Sequence, residues 1–221
     1  MFEKTQKSIF TLAIATVCQF IIVYGVTLFN RNLLMNFTLA ERMVLVFATQ
    51  WIFLILPVLL MLKNKEKLKD IGFIRVNIHK QIFIGIVIAI VMCLIFTVIP
   101  ILCGLKDMVS STHYTKTWQF IFEFAYSIFG VAIVEEFFFR GYMFKKLMDI
   151  KNSKWFAIII SSIVFGLFHI FQGNIIQVFT TMMLGVMFCL FREKIKGCST
   201  LSIIIAHGIY DALIVLCVAL L

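Results

Sequence analysis

Charge is what this sequence has least of. Only 14% of its 221 residues are Asp, Glu, Lys or Arg, against 62% hydrophobic, and the mean hydropathy is +1.05. An ordinary soluble domain is about one-quarter charged and about half apolar. A water-soluble fold of this size could not hide so much apolar surface, so lipid is the expected solvent. Proline is scarce too: Pro57 and Pro100 are the only two, both inside apolar runs. Membrane helices tolerate such prolines, which predict kinks rather than ends. No repeat, low-complexity tract or linker divides the chain, so a single membrane domain over 1–221 is expected. The six cysteines (18, 93, 103, 189, 198, 217) include no CxxC pair and lie mostly in apolar runs. That excludes a zinc knuckle and a disulfide framework and predicts small buried hydrophobes. No A-x-A site follows the first apolar stretch, which is too long for a signal h-region. Val17 is also too bulky for a lipobox ending at Cys18. The first segment is expected to remain as an uncleaved span.

What is present is a series of apolar runs. A span needs about 20 mostly apolar residues, and seven runs qualify, at roughly 8–29, 43–62, 81–103, 117–144, 155–171, 174–191 and 201–221. The alternation of a barrel strand is absent, so helices are expected. The fold class predicted is all-α, a polytopic transmembrane helix bundle of about seven spans. The formal net charge is +9, but the basic residues sit in short gaps between apolar runs, which fits a membrane surface and not a nucleic acid. Fifteen of the 20 Lys and Arg fall on the side of the N-terminus, in 1–7, 63–80, 145–154 and 192–200. Four, Arg31, Arg42, Lys106 and Lys116, fall on the other side, and Arg140 lies within a run. The positive-inside rule then puts the N-terminus in the cytoplasm and the C-terminus outside.

Ionisable residues inside apolar runs cost a few kcal/mol each on insertion scales (~2.5–3.5 for Asp, Lys or Arg at mid-helix), so each is a functional candidate. Three groups stand out: Glu135-Glu136-Phe137-Phe138-Phe139-Arg140, Phe165-Gly166-Leu167-Phe168-His169, and His207-Gly208-Ile209-Tyr210-Asp211. Glu136 and Arg140 are four apart, acid first, and can pair on one helix face. Glu135 sits about 100° further round with no such partner, which leaves it free for chemistry; the competing reading is that both acids bind Arg140 and brace the bundle. Phe165 and His169 share a face, as do His207 and Asp211, so Asp211 can orient the imidazole. Ser162 and Gly166 form a small-xxx-small pair that lets helices approach closely. His79 and His113 lie in polar loops and read as surface residues.

In that order, each within an apolar helix, EExxxR, FxxxH and HxxxD resemble the motifs of the CAAX-protease and bacteriocin-processing (CPBP, or Abi) family of intramembrane peptidases, to which the Ras-converting CAAX endoprotease belongs. The likeness covers about 135–211, in the motif-bearing half at about 117–221. The resemblance implies a catalytic glutamate at Glu135 with His169 as its partner in activating water. His207 and Asp211 would form the oxyanion side, with Glu136, Arg140 and Phe165 in support. Eukaryotic CAAX endoproteases carry Asn at the Asp211 position; an ionised Asp would repel an oxyanion, so it must be protonated or act through His207.

Two His and one carboxylate also make a catalytic zinc set, so Zn²⁺ on Glu135, His169 and His207 stays open beside the favoured metal-free site. No HExxH is present. The partners expected are a peptide or protein substrate at the membrane and the lipid bilayer, without nucleic acid; the oligomeric state is not legible. The resemblance places the protein in the plasma membrane of a bacterium, with roles in peptide export or bacteriocin processing or immunity. The competing readings are a non-catalytic immunity or scaffold protein and a proton-coupled transporter; the latter lacks the expected inverted repeat or pair of broken helices.

Overall fold

The computed structural model describes residues 2–109, 114–171, 173 and 175–221, and every regular element among them is helical. Lipid offers the backbone no hydrogen-bonding partner, so each apolar run closes its own N–H···O=C bonds. Helix α1 spans Phe2–Asn32 and α2 spans Leu39–Lys63. A capping box starts α2: the Glu41 carboxylate accepts from the Thr38 N–H at 2.8 Å, and the Thr38 hydroxyl accepts from the Glu41 N–H at 3.4 Å. Helix α3 runs over Ile78–Leu102, with a π turn at Leu94–Val98 ahead of Pro100. Proline has no N–H to donate and crowds the carbonyl four residues back, and a π turn accommodates both effects. Pro57 lies buried within an unbroken α2.

Helix α4 is helical from 117 to 150 and contains two π segments, Tyr126–Ala132 and Phe137–Met143. Helix α5 spans Lys154–Phe168, α6 Ile175–Lys194 and α7 Thr200–Leu220. Each of the seven apolar runs thus contains a helix over most of its described residues. Among the described residues, five helices, α1, α2, α3, α6 and α7, are long and apolar enough to cross a membrane. The 15-residue α5 is shorter than a standard span, and α4 carries the buried charges. Three boundaries differ from expectation. Helix α4 continues past residue 144 to Ile150. Helix α5 stops at Phe168, so His169 caps the helix instead of lying within it. Arg192 and Lys194 belong to the last turn of α6, not to a loop.

Helix α7 is the axis of the bundle, and glycines set its spacing. A Cβ on Gly85 of α3 would lie 2.6 Å from the Ser202 carbonyl oxygen, and one on Gly208 would lie 2.7 Å from the Ile128 Cα of α4. Helices α5 and α6 meet through Gly166, whose Cβ would lie 2.6 Å from the Val178 oxygen, and through Gly185 against Ser162. The Ser162/Gly166 pair therefore does what its spacing predicts.

The cysteines are free thiols. Cys93, Cys189 and Cys198 are buried, but Cys103, just past the end of α3, is exposed, contrary to expectation. His79 lies exposed in the first turn of α3 and not in a loop. His113, Gln172 and Asn174 lie outside the described residues.

Candidate active site

The three ionisable groups converge. Glu135 and Glu136 end a four-residue α-helical stretch, Ile133–Glu136, between the two π segments of α4. A π turn adds a residue and re-aims the side chains that follow it, which is why such turns gather at functional sites. Here both carboxylates end inside the bundle, Glu136 fully enclosed and Glu135 9% exposed.

Glu136 is the structural hub. Its Oε1 lies 3.0 Å from Arg140 Nη1, the pair expected from the four-residue spacing, and 2.7 Å from His207 Nδ1. The link to His207 crosses from α4 to α7. The Arg140 guanidinium lies 4.0 Å over the Phe165 ring and 5.3 Å from the centre of the Phe188 ring. Two aromatic faces thus stabilise a cation that is 1% exposed. The backbone carbonyl of Arg140, in the second π segment, accepts from the side chain of Arg192.

The other nitrogen of His207 faces the reaction side. Nε2 is 3.2 Å from Asp211 Oδ2 and 3.9 Å from Glu135 Oε2. Both ring nitrogens therefore meet carboxylates. An imidazolium can donate to both, whereas a neutral ring has only one N–H to offer. On the other side of Glu135, Oε1 is 4.0 Å from His169 Nε2. His169 is fixed by a 2.9 Å hydrogen bond between Nδ1 and the Phe165 carbonyl. If that nitrogen carries the proton, Nε2 keeps its lone pair toward Glu135. Neither Glu135 contact is short enough for a direct hydrogen bond. Glu135 Oε2 is buried without a hydrogen-bond partner among the described residues, a condition that calls for a functional explanation.

The structure brings Glu135, His169, His207 and Asp211 into one cluster, with Glu136, Arg140 and Phe165 behind it. Two participants carried no sequence signal. Phe188 sits in an apolar stretch with no motif around it, and Arg192 reads as one more basic residue at a helix end. Zinc held by Glu135, His169 and His207 would draw on the same side chains. Among the described residues, no group of three or more His, Cys, Asp or Glu is placed to hold a metal ion. Nε2 of His207, one of the three ligands required, is closer to Asp211 than to Glu135.

Comparison with known proteins bears on the same stretch of chain. Residues 117–213 match the family model of Type II CAAX prenyl endopeptidase Rce1-like proteins. The matched interval runs from the start of α4 into α7 and contains every residue of the cluster. The resemblance to CAAX proteases is thereby supported, and with it a protease. No curated protein and no solved structure matches the chain. The five apolar helices together with the family match support an integral membrane protein.

Proposed function

We propose that this protein is an intramembrane endopeptidase that hydrolyses a peptide bond in a membrane-associated peptide or protein, using water activated by Glu135 and His169. The observation that carries the reading is the placing of Glu135, buried within the bundle, whose two carboxylate oxygens lie 4.0 and 3.9 Å from two different imidazoles. Gaps of that size suit a small molecule held between groups and not a finished ion pair.

In this scheme a water hydrogen-bonded to Glu135 and His169 attacks the scissile carbonyl carbon. Its proton passes to Glu135, which acts as general base. The carbonyl oxygen becomes an oxyanion, stabilised by a donor on the His207 side. The C–N bond then breaks, and the proton held by Glu135 goes to the departing amine. Asp211 is a positioning residue that holds the His207 ring from the Nε2 side, as Glu136 and Arg140 hold it from the Nδ1 side. No step is routed through a metal.

The orientation proposed has seven spans, with the N-terminus cytoplasmic. The 15-to-4 distribution of basic residues supports it. A reporter fused after Leu221 should face outside and one inserted near Lys67 the cytoplasm; both on one side would remove this topology.

The deciding experiment replaces Glu135 by Gln, which keeps the shape and most hydrogen bonds but cannot accept a proton from water. Turnover of a peptide library by the purified protein is expected to fall by about 10²-fold or more, with yield and thermal stability unchanged. His169→Ala should cost a similar factor. The double variant should lose little more, because residues that act as a unit are not additive. Chelator should leave the wild type active. Full turnover by Glu135→Gln would overturn the mechanism, and loss of activity on chelation would return zinc to it.

A further inference from the structure

Away from the active site, the segment between α2 and α3 folds into a platform at the end of the bundle where Lys146 pairs with Glu66 at 2.7 Å. A short 3₁₀ turn, Leu68–Ile71, ends at Gly72, whose φ of +89° lies in the left-handed region. Any Cβ there would meet the Thr200 hydroxyl at 2.4 Å, so glycine is required on both counts. The turn is docked and not loose. The Thr200 hydroxyl donates to the Ile71 carbonyl at 3.0 Å, and the Thr200 N–H donates to the Gly72 carbonyl at 3.2 Å.

This platform borders a cavity of about 630 Å³ whose lining includes Lys67, Lys69 and Arg75 together with Phe73, Ile74 and Ile78, and no carboxylate. No ion pair among the described residues engages these three cations. The neighbouring basic side chains differ: Lys154 and Arg192 share Glu193, and Lys145 pairs with Asp149. Leu68, Ile74, Val76 and Ile78 are 44–66% exposed, interleaved with the cations. Apolar side chains alternating with basic ones at the end of a membrane bundle match the chemistry of the lipid interface. There, acyl chains receive the apolar groups and anionic headgroups the Lys and Arg.

We propose that this cavity is a binding site for an anionic phospholipid, with the headgroup phosphate held by Lys67, Lys69 and Arg75 and the upper acyl chain against Phe73, Ile74 and Ile78. The occupied site would brace the catalytic helix. Phe73 packs on Phe137 with ring centres 6.0 Å apart, one residue from Glu136, and a Cβ on Gly141 would lie 3.3 Å from Ile71 Cδ1. The inference stands on the cavity and its charges and is independent of peptidase activity.

The test uses the full-length protein in nanodiscs of phosphatidylcholine alone or mixed with phosphatidylglycerol. Lipid retention is read by native mass spectrometry and stability by thermal unfolding. The wild type is expected to retain phosphatidylglycerol after delipidation and to unfold at a higher temperature in the mixed discs. Each cation near the surface is worth about fivefold, so the Lys67→Gln/Lys69→Gln/Arg75→Gln variant should bind about 10²-fold more weakly and lose the thermal shift. A Lys63→Gln control should retain both. A charge-conserving Lys67→Arg/Lys69→Arg/Arg75→Lys variant should also retain both, which separates lost charge from lost fold. Equal retention by the triple Gln variant would overturn the proposal. So would equal protection of the wild type in detergent by inorganic phosphate alone, since the site would then take a free anion.

Discussion

Helices α2 and α7 are both apolar enough to span a membrane, yet they are used differently. Half of the most apolar window of α7 is buried within the protein, against 17% for α2 and 22% for α1. The polar groups follow the same division. In α1 the Thr11 and Thr27 hydroxyls bond to carbonyls of their own helix, at 2.9 Å to Lys7 and 2.8 Å to Val23. Gln19 reaches across, to the Phe53 carbonyl of α2 at 2.5 Å, and Arg31 at the end of α1 reaches the Phe171 carbonyl at 3.4 Å. In the α4–α7 half, charged groups also bond to each other between helices, as Glu136 does to His207 and Lys154 to Glu193. A local bond survives if two helices drift apart; an interhelical one does not. The first half can tolerate change, whereas the second is held by a few buried charges whose loss should be felt at once.

Arg140→Ala should produce the largest effect on stability. It leaves the Glu136 carboxylate enclosed beside His207 without its cation and empties a slot between Phe165 and Phe188. Removing one partner of a buried pair costs about 3–5 kcal/mol, enough to deplete folded protein as well as activity. Arg140→Lys should rescue only in part, because the ammonium lacks the planar fork and the stacking face. Yield by size-exclusion chromatography and thermal unfolding in detergent would measure this. Normal values for Arg140→Ala would mean that the buried charges are not what holds this half together.

Gly208→Ala comes next. Its Cβ would meet backbone, the Ile128 Cα at 2.7 Å, as well as the Ile128 side chain, so α7 has to move off α4. Overpacking of this kind costs about 1–3 kcal/mol. It would also lengthen the 2.7 Å contact from Glu136 to His207, so turnover should fall in parallel with stability. Unchanged turnover in a destabilised Gly208→Ala protein would show that the His207 position does not depend on that helix spacing.

How much of this was legible beforehand depended on the range of the interaction. The helices follow from apolar length alone, since lipid forces the backbone to pair internally. The Glu136–Arg140 pair follows from spacing on one helix. The convergence of Glu135, His169, His207 and Asp211 could be expected only from the order of the motifs, because spacing within a helix says nothing of which helices meet. The contacts that bind the site across helices stayed hidden for the same reason: Glu136 to His207, Phe188 against Arg140, and Arg192 on the Arg140 carbonyl. So did the two π segments of α4, where tertiary packing overrides a sequence equally compatible with an ordinary helix. The apolar run continues past His169 and so predicts it inside α5, whereas the helix ends at Phe168 and His169 takes the cap.

The smallest effect should come from the matched change in the first half. Gly25 lies in the middle of α1, and a Cβ placed on it would find no atom within 4 Å. In water, a mid-helix Gly→Ala change gains about 0.5–1 kcal/mol, because the unfolded chain loses conformational freedom. In lipid that gain should shrink, since a separated span must keep its backbone hydrogen bonds and remains helical. With neither a clash nor a large change in chain entropy, Gly25→Ala should alter stability by less than about 0.5 kcal/mol, the range of substitutions that touch no special feature, and leave turnover untouched. A shift as large as that of Gly208→Ala would mean that this face of α1 is packed against something and not against lipid, and the division between the two halves would have to be redrawn.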